Sequence, residues 1–418
     1  MIVITGGTLV DGTGAPPLAD AVVVIEGDRI ESTGTARDTP IPAGPGVTLL
    51  PVQGKTIMPG IIDAHDHLSS HGYGLADRLG LSKPLSLIHL ETAAILADTL
   101  ACGTTTVRDA GGLDLGFKLA IDRGLIPGPR TCIALSFISP TGGIGDGTTI
   151  SGLSIPPRPG LPSGVANGAE AVREKVREMV RAGADVIKTA TTGGVSSARR
   201  GPLDAEFSRA ELEAMVDEAR LLGKKVMCHA LGGPGLRTAV EAGVHSIEHG
   251  GYLDLDPEVV QMMADKGIFY VPTFMVYVYH AGERAGAPYM QERAHAMKQH
   301  HIRSLQMALE SGVRVAMGTD AGGYEHGQNP MELQLMVEAG MTPMQAIVAS
   351  TQTAAECLDL RRYLGTLEPG KLADLLVVDG DPLADIRMLQ DRSRVELIMQ
   401  GGEVVGGTQH SILSTQHR

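Results

Sequence analysis

Apolar positions along the chain fall into three textures. Over residues 1–58, short β-rich runs alternate with glycine turns: Ile2-Val3-Ile4, then Ala21-Val22-Val23-Val24-Ile25, with Glu26-Gly27-Asp28 reading as a hairpin turn. No helical period is present, so the pattern predicts a small antiparallel sheet. From 59 to 364, short β-rich runs give way to helical stretches eight times, the runs falling at 60–63, 104–107, 131–135, 185–188, 225–228, 246–248, 269–271 and 314–317. Amphipathic stretches lie between them, as at 169–182 and 209–223. Eight strand–helix units predict an α/β fold of the (β/α)8 TIM-barrel kind. After 365 the β texture returns, and one small domain built from both termini (1–58 with 365–418) is expected. The Pro- and Gly-rich segment 140–168 stands apart and reads as a lid over a site.

Composition narrows the picture. The chain has 418 residues, 43% of them apolar, enough for a sizeable core. With 35 Lys+Arg against 48 Asp+Glu, no Trp and 3% aromatics, neither a nucleic-acid groove nor a base-stacking platform is expected. No apolar run reaches membrane-spanning length, and the N-terminus reads as a strand, not a signal peptide. Four dispersed cysteines without a CxxC fit a reducing compartment. The expectation is a cytoplasmic protein acting on a small molecule, with no nucleic-acid or membrane partner.

The chemistry gathers at strand ends. His65-Asp66-His67 follows the first barrel run, and residues i and i+2 share a face of an extended chain, so both imidazoles point one way. Lys188, His229, His249 and Asp320 each close or follow a later apolar run. A barrel places its chemistry at the C-terminal ends of its strands. Five strand ends thus supply His, His, Lys, His, His and Asp to one rim.

These residues, with Pro59-Gly60-Ile61-Ile62-Asp63 before the histidines, Gly318-Thr319-Asp320, and Gly365-Thr366-Leu367-Glu368-Pro369-Gly370-Lys371 in the tail, resemble the metal-dependent amidohydrolase superfamily. Within it the chain is similar to the imidazolonepropionase-like branch that holds Xaa-Pro dipeptidases and ochratoxin-hydrolysing carboxypeptidases. The resemblance implies a distorted barrel with a β-sandwich from both termini, two divalent metal ions (zinc) and a homo-oligomer. It assigns His65, His67 and Asp320 to one ion and His229 and His249 to the other. Lys188 would bridge them as a lysine N-carboxylated by CO2, since a carbamate is anionic whereas an ammonium would be repelled by two dications. Paired ions bring a shared water towards neutral pKa, and Asp320 would pass its proton to the leaving nitrogen. The reaction expected is hydrolysis of a C–N amide bond in an N-acyl amino acid, a dipeptide or a related amide. A urea, carbamate or lactam hydrolase, or a non-catalytic scaffold, are the alternatives.

His229 is followed by Ala230-Leu231-Gly232, so the His-x-x-Glu of mononuclear deaminases is missing. Four residues are expected to meet the substrate: Tyr252, Ile144, His326 and Arg199. Relatives often carry Thr-Gly-Gly-His-Gly-Asp where this chain has Thr141-Gly142-Gly143-Ile144-Gly145-Asp146, which turns the expectation away from dipeptides and towards a more apolar or non-peptide substrate. Arg108 and Asp109 read as rim-organising residues, His280 as a loop residue near the pocket, and His295, His300 and His301 as surface residues.

Overall fold

The structure is a computed structural model that describes residues 1–70, 83–149, 151–154, 156–282, 287–322 and 324–408. The two ends of the chain do meet. Strands β1 (Ile2–Leu9), β2 (Leu18–Glu26), β3 (Arg29–Thr35), β4 (Thr48–Pro51) and β5 (Thr56–Pro59) join β14 (Leu375–Val378), β15 (Val395–Gln400) and β16 (Glu403–Gly406) in one eight-stranded sheet. Its order is β16-β15-β14-β5-β1-β2-β3, with β4 paired to β1. Alternation sets what each face buries. In β14, Leu375 and Val377 pack with Ile4, Val23, Ile57 and Met399, while Leu376 and Val378 join Leu96, Val107 and Ile133 in the main core. A strand buried on both faces must read as an unbroken apolar run, and Leu375-Leu376-Val377-Val378 does.

The middle of the chain forms two parallel sheets. One holds β6 (Ile61–Asp66), β7 (Thr104–Asp109) and β8 (Arg130–Ile133), and the other holds β9 (Phe137–Ile138), β10 (Ile187–Ala190), β11 (Val226–Ala230), β12 (Ser246–His249) and β13 (Phe269–Val271). The run expected as one strand at 131–135 is broken. Leu135 adopts a left-handed φ of 67°, which turns the chain, so β8 pairs with β7 and β9 with β10. The run expected at 314–317 forms no ladder. It still bridges the sheets: Tyr270 N donates to Arg314 O and Ala316 N to Tyr270 O, both at 2.9 Å, and Ala64 N donates to Met317 O at 2.9 Å.

The helices pack outside these sheets. In the helix Ala169–Arg181, Val172, Val176 and Met179 fall on one buried stripe. Each contributes about 1.5–3 kcal/mol when fully buried. The helix Arg209–Leu221 beside it starts with a capping box between Ser208 and Glu211. No helix among the described residues is long and apolar enough to cross a membrane.

The 140–168 excursion is pinned at both ends of its reach. At its neck Ser139 N donates to Gly164 O (3.1 Å) and Ala166 N to Ser139 O (3.0 Å). Gly164 packs so tightly on the Phe137 carbonyl that no side chain fits there. Further along, Arg158 donates to Ser69 Oγ (2.9 Å) and Gly112 O (3.2 Å), both in loops at the ends of β6 and β7. The expected polar tail beyond Thr408 lies outside the described residues.

Candidate metal centre

The first pair of histidines is held as ligands are. His65, near the end of β6, and His67, just past it, both direct Nε2 at Asp320 Oδ1, at 3.4 and 3.3 Å. Their other nitrogens are engaged behind. His65 Nδ1 donates to Glu248 Oε2 at 2.7 Å, and His67 Nδ1 donates to Gly111 O at 2.8 Å. A neutral imidazole carries one proton, so these bonds fix it on Nδ1 and leave Nε2 as the electron-pair donor. One ligand atom each from His65, His67 and Asp320 lies within 4.8 Å of the others, a donor set suited to a divalent ion.

The remaining three expected residues join this cluster. Lys188 is 1% exposed, with Nζ 3.4 Å from His65 Nε2 and 5.2 Å above the Phe137 ring. Burial pushes its amine down to about 8, against the pull of Glu248 and Asp320. Its near neighbour is an imidazole, not the carboxylate that an ordinary buried lysine would seek. Lys188 is the second residue of β10, not its last, and His229 lies within β11: both strands start later than the apolar pattern suggests. The His249 ring stands 4.9 Å from that of His65 and 4.5 Å from that of His229. Thr273 Oγ1 lies 2.7 Å from His249 Nδ1, and His229 Nε2 donates to Gly193 O at 3.2 Å, leaving Nε2 of His249 and Nδ1 of His229 for ligation. Burial, with Lys188 nearby, takes His229 down to about 3, and burial beside His229 takes His249 well below its usual value, so both rings are neutral at pH 7. Burial opposes the charge of Asp320, yet its close contacts with His65 and His67, with His249 nearby, hold its carboxyl well below the ordinary range.

Backbone strain gathers around this cluster. His249, Thr273 and Asp320 have φ of 74°, 54° and 55°, a left-handed region that costs a non-glycine residue on the order of 1–3 kcal/mol. Strict alternation would send adjacent Glu248 and His249 to opposite faces of β12. The turn at His249 brings both to the centre. Asp320 N is tied to His65 O at 2.6 Å, and Asp63 takes the Thr319 hydroxyl at 2.7 Å, so β6 and the Gly318-Thr319-Asp320 turn are stitched together.

Close approach here depends on Gly318. A Cβ at that position would stand 2.5 Å from Val271 Cγ1 and 2.9 Å from His65 Cβ. Gly318→Ala is therefore expected to destabilise the fold by about 1–3 kcal/mol. It is also expected to lower metal content, as read by thermal unfolding and metal analysis of the purified variant.

The expected substrate contacts are divided by the structure. Ile144 lies near His229 with Gly194 beside both: a Cβ placed on Gly194 would stand 3.0 Å from Ile144 Cδ1 and 3.5 Å from His229 Cε1. Ile144 N donates to Glu206 at 2.9 Å, which fixes that loop. His326 stands behind the His-x-His pair, with Nδ1 3.4 Å from Asp66 Oδ1, and lines a cavity of about 1150 Å³ with Ser70, Met275, Tyr279 and Tyr324. Arg199 is turned to Asp146, 3.9 Å away. Tyr252 packs on His300 at 5.0 Å and belongs to an apolar cluster with Leu231 and Tyr277. In that cluster it is Tyr277 that touches the centre, 6.0 Å from the His249 ring.

Other positions differ from the sequence pattern. Arg108 is buried beneath the centre, not on a rim, because its guanidinium is bound by Glu248 and the Ala64 carbonyl. Asp109 does organise a loop, accepting from Leu68, Gly111 and Leu113 N–H groups. His280 lies in the helix Phe274–Ala281, and His301 is buried with its ring stacked on Phe274 at 4.1 Å. Glu248 and Glu332 escaped the sequence reading. Glu332 accepts from Phe274 N and Met275 N, at 2.7 and 2.8 Å, and so anchors the helix that follows Thr273. The one signal for Glu248 was a charged residue inside an apolar run ahead of a candidate ligand.

Residues 56–405 match the model of the amidohydrolase family. Ochratoxinase of Aspergillus niger is 32% identical over 424 aligned positions that cover 97% of this chain and 86% of that protein. Its crystal structure superposes with a TM-score of 0.87. A prolidase solved with N-methylphosphonate-L-proline is 33% identical, with a TM-score of 0.89 over 97% of this chain and 99% of that one. A Xaa-Pro dipeptidase with methionine in its active site is 31% identical, with a TM-score of 0.87 over 97% and 100%. Imidazolonepropionase of Fusobacterium nucleatum is 24% identical over 397 positions, covering 87% of this chain and 86% of that protein. The chain belongs to the amidohydrolase family, in its imidazolonepropionase-like branch, and is a hydrolase acting on carbon–nitrogen bonds.

Proposed function

We propose that this chain is a binuclear metal-dependent hydrolase of amide bonds in small molecules, of the N-acyl amino acid or dipeptide kind. The observation that carries the reading is the meeting of His65, His67, Lys188, His229, His249 and Asp320 in one cluster through consecutive contacts of 3.3–4.9 Å. In this reading His65, His67 and Asp320 hold one ion and His229 and His249 the other, with zinc suited to these N and O donors. Lys188, N-carboxylated by CO2, would be the anionic ligand shared by the two. Its burial and lowered pKa favour the neutral amine that CO2 must meet. Two bound ions supply Lewis acidity and hydroxide near neutral pH.

The chain's own residues do the rest. Asp320, an anion at neutral pH, takes the proton of the attacking water and gives it to the departing nitrogen. Ile144 offers no hydrogen bond, so the part of the substrate beside His229 is apolar. Relatives that hydrolyse ochratoxin or Xaa-Pro dipeptides share the overall architecture at TM-scores of 0.87–0.89. We extend the reading to the whole fold: the two parallel sheets, linked through 314–317, close as a distorted (β/α)8 barrel over 59–364. The terminal sheet curls over its own core as the β-sandwich of 1–58 and 365–418. A cytoplasmic homo-oligomer completes the proposal.

A panel of matched amides and carbamates, with product analysis by mass spectrometry, tests the chemistry. Zinc-replete enzyme is expected to release free amine and carboxylic acid from N-acyl amino acids with apolar acyl groups. Carbamate cleavage without amide turnover would move the assignment to the carbamate hydrolases. A chain that holds substantially fewer than two ions after metal-replete expression would be a scaffold instead.

A further inference from the structure

We infer that Glu248 and Arg108 are positioning residues that fix His65 for metal binding and couple the two halves of the centre through strand β12. The inference rests on the binuclear reading above. Glu248 is fully buried and has no proton of its own to give as a carboxylate. Its Oε2 takes the His65 Nδ1 proton at 2.7 Å, so His65 presents Nε2 to Lys188 and Asp320, each 3.4 Å away. Its Oε1 is held by Arg108 Nη2 at 2.9 Å and by the Ser246 hydroxyl. Arg108 Nε then donates to Ala64 O at 2.6 Å, on the residue next to His65. The loop of contacts runs from β6 to β12, to β7 and back to β6.

Two features make this more than packing. The partner of His67 is a backbone carbonyl, which no side-chain substitution removes, so His65 is the histidine of that pair whose orientation hangs on a side chain. In addition, His249 directly follows Glu248 and turns to the same side through its left-handed backbone. A displacement of Glu248 therefore reaches a ligand proposed for each ion. Carboxylate partners of metal-bound histidines typically contribute about 10–100-fold in metal affinity.

The experiment titrates zinc onto metal-stripped wild type, Glu248→Gln, Glu248→Ala and the double variant Arg108→Met/Glu248→Leu, with circular dichroism and thermal unfolding on the same samples. The double variant removes the buried charge pair as a unit, which proteins commonly tolerate, and so stands in where Glu248→Ala alone fails to fold. Expected is zinc affinity about 10–100-fold weaker in the folded Ala and double variants, with partial recovery in Glu248→Gln, whose amide oxygen still accepts from His65. Cobalt-loaded variants are expected to show altered d–d absorption bands. Folded variants that bind two zinc ions with wild-type affinity would overturn the inference and leave the hydrolase reading intact. Wild type that binds no zinc would overturn both.

Discussion

Lys188→Ala is expected to lose most of its bound metal and about 10³-fold or more of its turnover, the factor that some 4 kcal/mol of lost stabilisation corresponds to. The sign of the metal effect makes the test decisive. A bare ammonium next to two dications repels them, so deleting it would raise metal affinity. An N-carboxylated lysine is an anionic ligand, so deleting it must lower affinity. The site favours the second case: Nζ lies 3.4 Å from His65 Nε2, in a buried pocket where the amine is pushed down to about 8. Metal analysis of the purified variant reads the outcome directly. A carbon-13 carbamate resonance in wild type grown on labelled bicarbonate, absent from Lys188→Ala, is the independent check. Unchanged or increased metal content in the variant would remove the lysine from the ligand set.

How far this centre was legible in the sequence follows from what fixes each residue. The expected ligands were visible because each is a polar group at or near the end of an apolar run, where a barrel exposes its chemistry. The register of two of those runs was not, because the short apolar stretches Val186-Ile187 and Val226-Met227-Cys228 do not mark where a ladder starts or stops, and the strands run on to Ala190 and Ala230. The ladder moves Lys188 to the second position of its strand and draws His229 inside its own. Leu135, His249, Thr273 and Asp320 are left-handed without being glycines themselves, so their own residue types do not announce the turns. Tertiary contacts hold these residues left-handed, and no local pattern encodes such contacts. Glu248 and Arg108 were missed or misplaced for a related reason. A charge in a strand reads as solvent-facing until a partner of opposite sign is known to be buried opposite it, and here that partner lies 140 positions away. His301 shows the same failure in a helix: its charged neighbours suggested the surface, while its ring is stacked on Phe274. That strands from both chain ends share one sheet was suggested by texture, since the two ends carry matching short β-rich runs with glycine turns.

Asp320→Asn is expected to keep its metal and lose about 10²–10⁴-fold in kcat, the range that a positioned general acid–base group supplies. The carboxamide matches the carboxylate in shape and retains one oxygen for a metal ion. The turn that presents it is fixed from outside the side chain, by Asp320 N on His65 O and by Thr319 on Asp63. The fold and the ligand cage should therefore survive the substitution. What the amide lacks is basicity: it cannot take a proton from water at pH 7 and return it to the leaving nitrogen. Because the lost interaction belongs to the transition state, kcat should fall with little change in KM. Two controls sharpen the reading. Intact-protein mass spectrometry excludes deamidation back to aspartate, which would restore activity slowly. Substrates with better leaving groups should lose less, because their nitrogen needs less protonation as it departs. An Asp320→Asn enzyme with wild-type kcat would take the proton transfer away from this residue and leave it as a ligand alone.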